Sequence, residues 1–271
     1  MSQIAFLSGL PRSFSTGMAN ILAMHPQIEA TPSSPLCEIV QAMIGSWSAN
    51  PLLASQLDHD NNGVYDRLRR STLAFIHEYS STEKSVRLDK GRAWLGCLSL
   101  LQELIPDYKM VVTVRDLRSV FASVEKNHRT SNLLRYTNGV DANIVAFRLN
   151  QLFDESGIIG GTLRWLNNAL DVPDATKHLF IIRYEDFLAH PKEILASTFE
   201  WLGLPNAEID LGNIVQSTHE SDSHYNMKYR HVVRPVLQAP EQTSISPRIA
   251  AEILRRNEWF YKLYYPEVFN E

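Results

Sequence analysis

Apolar and polar positions change their period several times along this chain. Ile4-Ala5-Phe6-Leu7 is an unbroken apolar run too short for an amphipathic helix, and it enters Ser8-Gly9-Leu10-Pro11. That predicts a buried strand ending near Ser8 in a loop. From Thr16 the spacing becomes helical, with Met18, Ile21 and Leu22 on one face, Ser15 and Thr16 as caps and His25-Pro26 as the stop. The same order returns in the middle. Val86-Arg87-Leu88 precedes Lys90, and Leu95, Leu98, Leu101 and Leu104 then form a helical face that ends at Pro106. Met110 to Val114 reads as a strand buried on both sides. After Arg115-Asp116, Val120, Phe121 and Val124 mark another helix. Leu179 to Ile182 is a further buried strand, ending at Arg183-Tyr184-Glu185-Asp186. A helix from about Pro191 to Leu202 follows and is stopped by Gly203 and Pro205.

Strands alternating with helices imply right-handed crossovers and ligands at the carboxyl ends of the strands. The expected fold is therefore α/β, a P-loop-like three-layer arrangement with a central, mostly parallel sheet flanked by helices. Arg12, Lys90, Arg115 and Tyr184 all fall at strand ends. Pro32 to Asn62 and Ser217 to Pro247 fit the alternation poorly and read as long loops, the kind that wall a site. Thr130 to Val172 reads as helical, broken at Gly157 and at Gly160-Gly161. No repeat, low-complexity tract or linker divides the sequence, so residues 1–271 are expected to form a single domain.

Composition narrows this picture. The chain has 271 residues, 44% hydrophobic and 21% charged, which suits one large α/β domain. A formal charge of −4 supplies no general basic field for a nucleic-acid backbone, so phosphate recognition must come from a few placed residues. Cys37 and Cys97 show neither metal spacing nor a disulfide pattern and read as reduced thiols of a cytoplasmic protein. The start, MSQIAFLSGLPRS, has no basic leader, and no stretch approaches the roughly 18 apolar residues of a membrane span. The expectation is a protein without a membrane anchor.

The candidate chemistry begins at Ser8-Gly9-Leu10-Pro11-Arg12-Ser13-Phe14-Ser15-Thr16. Backbone N–H groups, hydroxyls and one guanidinium at a helix N-terminus suit a tetrahedral anion, and Arg12 adds a fixed charge with forked donors. A Walker loop would need Gly-Lys before the hydroxyl, and Phe14-Ser15-Thr16 stands there instead. Taken alone, the segment also suits an ordinary strand-to-helix turn with a solvated arginine.

Pro11-Arg12-Ser13-Phe14-Ser15-Thr16 resembles the loop P-[KR]-S-G-T-[TS] of the sulfotransferases that use 3′-phosphoadenosine 5′-phosphosulfate (PAPS), departing only at the glycine, where Phe14 stands. The arginine form is most similar to the tyrosylprotein and bacterial branches. The family's second motif, an arginine just after a strand and a serine about two helical turns on, binds the 3′-phosphate. Arg115 and Ser123 in VVTVRDLRSVFASV match it. The alternative there is a capping Asp116 with Arg115 paired to it. Arg183-Tyr184-Glu185-Asp186, with His190-Pro191 and Trp201-Leu202-Gly203, is similar to the family's third segment. Tyr184 would then approach the nucleotide, while Glu185 and Asp186 would cap the next helix. The likeness covers about residues 4–26 and 86–204.

This resemblance implies a PAPS-dependent transfer of a sulfuryl group to a hydroxyl or amine of a small-molecule or peptide acceptor, releasing 3′-phosphoadenosine 5′-phosphate (PAP). It implies no metal, nucleic-acid or membrane partner. Cofactor contacts fall to Arg12, Ser13, Phe14, Ser15, Thr16, Arg115, Ser123 and Tyr184, with Lys228 and Arg230 closing over the adenosine although the family's R-K-G triplet is missing. The catalytic candidates are Arg12, Lys90 and Glu38: two cations for the departing oxygen and one base. Lys90 alternatively pairs with Asp89 at the surface, and Glu38 alternatively sits in an exposed first helical turn. His25 reads as a structural cap, leaving His59, His77 and His128 as other bases. Trp47, Tyr65 and Phe75 line an acceptor pocket or belong to the core. A kinase with a degenerate phosphate loop and a non-catalytic nucleotide-binding protein are the competing readings, the latter motivated by Phe14.

Overall fold

In the computed structural model, Gln3–Gly9 (β1), Ile28–Ala30 (β2), Val86–Lys90 (β3), Met110–Val114 (β4) and Leu179–Arg183 (β5) form one sheet in the order β2-β3-β1-β4-β5. Every neighbouring pair is parallel. The structure describes residues 2–31, 33–59, 63–130, 142–216, 235–237, 239 and 245–269.

Side chains alternate across β1 and build one core on each face. Ile4 and Phe6 join Leu36, Trp94, Leu101, Phe121 and Phe260 on one side. Ala5 and Leu7 join Met18, Leu22, Phe187 and Phe199 on the other. All five residues of β4 are buried, as a strand covered on both faces requires.

Helix Ser15–Ala23 (α1) covers the second core and leads toward the sheet edge at β2. Helices Leu98–Leu104 (α5) and Leu117–Thr130 (α6) lie over the first core and carry the chain in the opposite direction. The direction of winding therefore reverses between β1 and β4, which opens a crevice at their carboxyl ends.

Pro32 to Asn62 departs from the expected long loop. Its described residues are mainly two helices, Leu36–Ser48 (α2) and Pro51–Asp58 (α3). Pro35 and Pro51 stand at helix starts, where a missing N–H costs nothing. Pro51 opens α3, and the Asn50 side chain accepts from the Leu52 and Leu53 N–H groups at 3.0 and 3.1 Å. Buried Leu36, Cys37 and Val40 give α2 its inner face. Helix Val64–Tyr79 (α4) follows.

Helices Ala142–Phe153 (α7) and Gly160–Asn168 (α8) bear out the break at Gly157, whereas Gly160 and Gly161 open a helix instead of interrupting one. Tyr184–Ala189 (α9) and Pro191–Leu202 (α10) follow β5. Pro247–Arg256 (α11) and Glu258–Tyr264 (α12) close the described chain, with a 3-10 turn at Pro266–Phe269. Most of the expected Ser217 to Pro247 loop, including Lys228 and Arg230, lies outside the described residues.

Candidate active site at the carboxyl ends of the strands

The loop after β1 is tightly curled. Arg12 and Phe14 both take left-handed backbone angles, with φ of 61° and 75°. Each costs about 1–2 kcal/mol for a residue with a side chain, and such strain collects at functional sites. Ser13 turns inward, donating its hydroxyl to the Leu10 carbonyl at 2.6 Å and sharing a 2.7 Å bond with Thr113 Oγ1. Its side chain thus builds the turn. Phe14 offers no side-chain cap to α1, so the N–H groups of Ser15, Thr16 and Gly17 lack intrahelical partners and hold the positive end of the helix dipole.

Groups far apart in the sequence meet at this helix end. Arg12 Nε donates to Ser123 Oγ on α6 at 3.0 Å. Lys90, the last residue of β3, is 9% exposed and donates from Nζ to Thr16 Oγ1 at 3.1 Å. Register explains its position: Lys90 pairs with Leu7, placing its side chain beside the loop that β1 feeds. Arg115, just past β4, donates from Nη1 to the Arg12 carbonyl at 3.0 Å and stacks 4.9 Å above the Tyr184 ring. Burial pulls the Arg115 guanidinium below its ordinary value, opposed by Tyr184, Glu185, Tyr265 and Asp116, yet it stays a cation at neutral pH. Its Nε is buried without a partner among the described residues. An orphaned charged donor beside an uncapped helix end is arranged for an oxyanion.

The pairing alternatives at Asp116 and Asp89 are decided by their hydrogen bonds. Asp116 does cap α6, accepting from Arg118 N at 2.8 Å, but its ion partner is Arg118 and not Arg115. Burial pushes the Asp116 carboxyl up, and the bonds and charge of Arg118 outweigh it, leaving the group below its ordinary value. Asp89 takes Trp94 Nε1 at 2.7 Å, leaving Lys90 to Thr16. Glu185 caps no part of its own helix. It accepts Asp116 N at 3.2 Å and Tyr265 Oη at 2.8 Å. Asp186 pairs with Arg183 at 3.4 Å.

The sequence profile of a family described as the sulfotransferase family matches residues 5–208. The chain belongs to this family. Nodulation protein NoeE of Sinorhizobium fredii (strain NBRC 101917 / NGR234) is 24% identical over 235 residues, covering 80% of this chain and 54% of the relative. The chain thus spans about half the length of the curated relative it matches. Two solved structures share the fold. One is the sulfotransferase domain of the Synechococcus PCC 7002 olefin synthase, with 14% identity, a TM-score of 0.50 and 94% of each chain covered. The other is the sulfotransferase domain from the curacin biosynthetic pathway, with 16% identity, a TM-score of 0.50 and 95% and 97% covered.

Within this sulfotransferase fold the other expected residues are spread more widely. Glu38 is exposed on the first turn of α2, and among the described residues it makes no hydrogen bond or ion pair. His25 is a buried structural link: Nδ1 accepts from Gln27 N at 3.1 Å, so Nε2 donates to the Pro205 carbonyl at 3.0 Å. His59 is exposed beyond α3, while His77 and His128 are half-buried on α4 and α6. Phe75 packs against the core, Trp47 is half-buried on α2, and Tyr65 donates to Glu103 at 3.0 Å. Cys37 and Cys97 are free buried thiols 3.5 Å apart. Among the described residues no cluster of three His, Cys, Asp or Glu residues faces a common point, and no helix is long and apolar enough to cross a membrane.

Two features escaped the sequence reading. Thr113 anchors Ser13, and its signal was a lone hydroxyl in the fully buried strand MVVTV. The C-terminal aromatics brace the strand ends: Tyr261 Oη donates to Asp116 at 3.1 Å, Tyr265 to Glu185, and Arg183 lies 4.2 Å over the Tyr265 ring while pairing with Glu267. The adjoining cleft of about 480 Å³ is lined by Asp116, Arg118, Arg183, Glu185, Tyr265 and Glu267 among others, and these six are engaged in the bonds and ion pairs already described.

Proposed function

We propose that the chain transfers the sulfuryl group of PAPS to a hydroxyl or amine of a small-molecule or peptide acceptor by in-line displacement. The observation carrying this reading is the meeting of Arg12 with Ser123 and of Lys90 with Thr16 around the uncapped start of α1. When bound, PAPS supplies the activated sulfuryl group and its leaving phosphate. The N–H groups of Ser15, Thr16 and Gly17 and the Arg12 guanidinium hold the phosphosulfate end, with Ser13 and Phe14 shaping the loop. Lys90, fixed by Thr16, places a cation where negative charge develops on the departing oxygen. Arg115 and Ser123 would hold the 3′-phosphate and Tyr184 would flank the nucleotide, with Lys228 and Arg230, outside the described residues, as its further expected contacts. Glu38 takes the acceptor's proton. This assigns the work to positioning and electrostatics, without a metal, in one cytoplasmic domain over residues 1–271.

Thermal unfolding with PAP and with ATP plus magnesium tests the donor. At a hundredfold excess over its Kd, PAP should stabilise the protein by about 2.7 kcal/mol, roughly 5–10 °C in Tm, and ATP with magnesium far less. Equal or greater stabilisation by ATP would instead support a kinase. PAP binding with no turnover of sulfur-labelled PAPS across an acceptor panel would support a non-catalytic nucleotide-binding protein.

A further inference from the structure

Phe14, which stands at the glycine of the loop pattern this segment resembles, adopts the left-handed conformation that glycine enters without strain. Its ring contacts offset that strain. The centroid lies 5.1 Å from the Tyr184 ring and 6.0 Å from the Phe187 ring, at interplanar angles of 35° and 31°. On its remaining flank the ring covers Gly17. A Cβ added at Gly17 would lie 2.1, 2.4 and 2.6 Å from Phe14 Cε2, Cζ and Cδ2. Gly17 lies within α1, so its glycine serves space and not backbone freedom. Ring and glycine are one device: a side chain at 14 requires its absence at 17.

The Phe14 ring is also the first member of a chain of contacts. Tyr184, its neighbour, carries the Arg115 guanidinium 4.9 Å from its ring centroid, and Arg115 returns to the loop through the Arg12 carbonyl. The circuit Phe14, Tyr184, Arg115, Arg12 closes on the same turn. Resting on the sulfotransferase reading, we infer that Phe14 is a positioning residue: its ring, housed by Gly17, locks the curled anion loop and fixes Arg115 through Tyr184 before any nucleotide arrives. The gain is preorganisation of the 3′-phosphate end of the site.

Four full-length proteins test this: the parent, Gly17→Ala, Phe14→Gly and Phe14→Gly/Gly17→Ala. Tm is measured without ligand, and Kd for PAP and for AMP, which lacks the 3′-phosphate, by calorimetry. Gly17→Ala should lower Tm and weaken PAP at least tenfold, or fail to fold. In the Phe14→Gly background the same alanine should be harmless or raise Tm, because alanine is the better helix former once the ring is gone. Phe14→Gly should weaken PAP about tenfold and AMP clearly less, since AMP loses only the loop's share while PAP also loses that of Arg115. An alanine penalty equal in both backgrounds, or a double variant that also fails to fold, overturns the pairing of ring and glycine. An unchanged PAP-to-AMP ratio in Phe14→Gly overturns the positioning role. A parent that does not prefer PAP refutes the donor assignment and the nucleotide half of the inference with it, whereas the stability comparison judges the packing half independently.

Discussion

Arg148 on α7 is the clearest place to disturb the scaffold behind the site. Its guanidinium meets the Glu125 carboxylate in two bonds of 2.5 and 2.7 Å, with side chains only 6% and 2% exposed. Glu125 lies on α6, two residues beyond Ser123, so this pair secures the helix that presents Ser123 to Arg12. Arg148→Ala would remove the guanidinium that pairs with this buried carboxylate in two bonds, a loss of about 3–5 kcal/mol. At roughly 2–4 °C per kcal/mol for a chain of this size class, Tm should fall by about 6–20 °C. Glu125→Leu/Arg148→Met removes both charges together and keeps apolar volume, and it should melt closer to the parent than the single variant because neither member of the pair is left behind. The assay is a double-mutant cycle by thermal unfolding at neutral pH, with PAP titration of each folded variant. Arg148→Ala melting within about 2 °C of the parent would refute the buried-charge argument. So would a double variant as unstable as the single one.

Two further predictions concern Lys90 with Glu38 and the buried Asp89. Lys90→Ala and Glu38→Ala should each reduce kcat by at least about tenfold while leaving the Kd for PAP within about threefold, as interactions realised only during transfer require; unchanged kcat in both would remove the catalytic assignments. Asp89 is 1% exposed, and burial raises its pKa above the ordinary 3.8, against the pull of Ser34, Trp94 and Arg87. Between the unfolded and folded values the native state holds a proton that the unfolded chain has lost, so this group's contribution to stability falls as pH rises through that window and stays low above it. Asp89→Asn keeps an acceptor for Trp94 and should be the more stable protein at neutral pH, with the advantage vanishing once both states are protonated in acid; urea unfolding across a pH series would show it, and an advantage that grows toward acid would refute it.

Much of the fold was legible because it is local. β1, β3, β4 and β5 are continuous apolar runs, and α1, α5, α6 and α10 carry helical spacing with identifiable stops. β2 escaped because Ile28–Ala30 is three residues long with Glu29, which pairs with Arg87 on the neighbouring strand, at its centre. Of the helices between β2 and β3, the start of α2 was legible as the alternative that puts Glu38 in an exposed first turn, whereas α3 lay in the expected loop, although Asn50 and Pro51 start a helix there. The candidate site was visible as residue types at strand ends, since a parallel sheet delivers those ends to one edge.

Sequence alone determined the elements and the alternation that predicts a parallel sheet, because these follow from periodicity, while Arg12, Lys90, Arg115 and Ser123 stood out through their places at strand ends and through the resemblance to the sulfotransferase motifs. Tertiary structure decided their partners. Only the register of β3 beside β1 brings Lys90 to Thr16, and only the reversal between β1 and β4 brings Arg12 to Ser123. Phe14 shows the difference most plainly. In sequence it is a bulky departure from glycine, and in space its ring has a seat, because Gly17 leaves room and Tyr184 and Phe187 face it. The cost of a left-handed phenylalanine is set locally by its own backbone, while the contacts that offset it come from residues some 170 positions away, which no local pattern encodes.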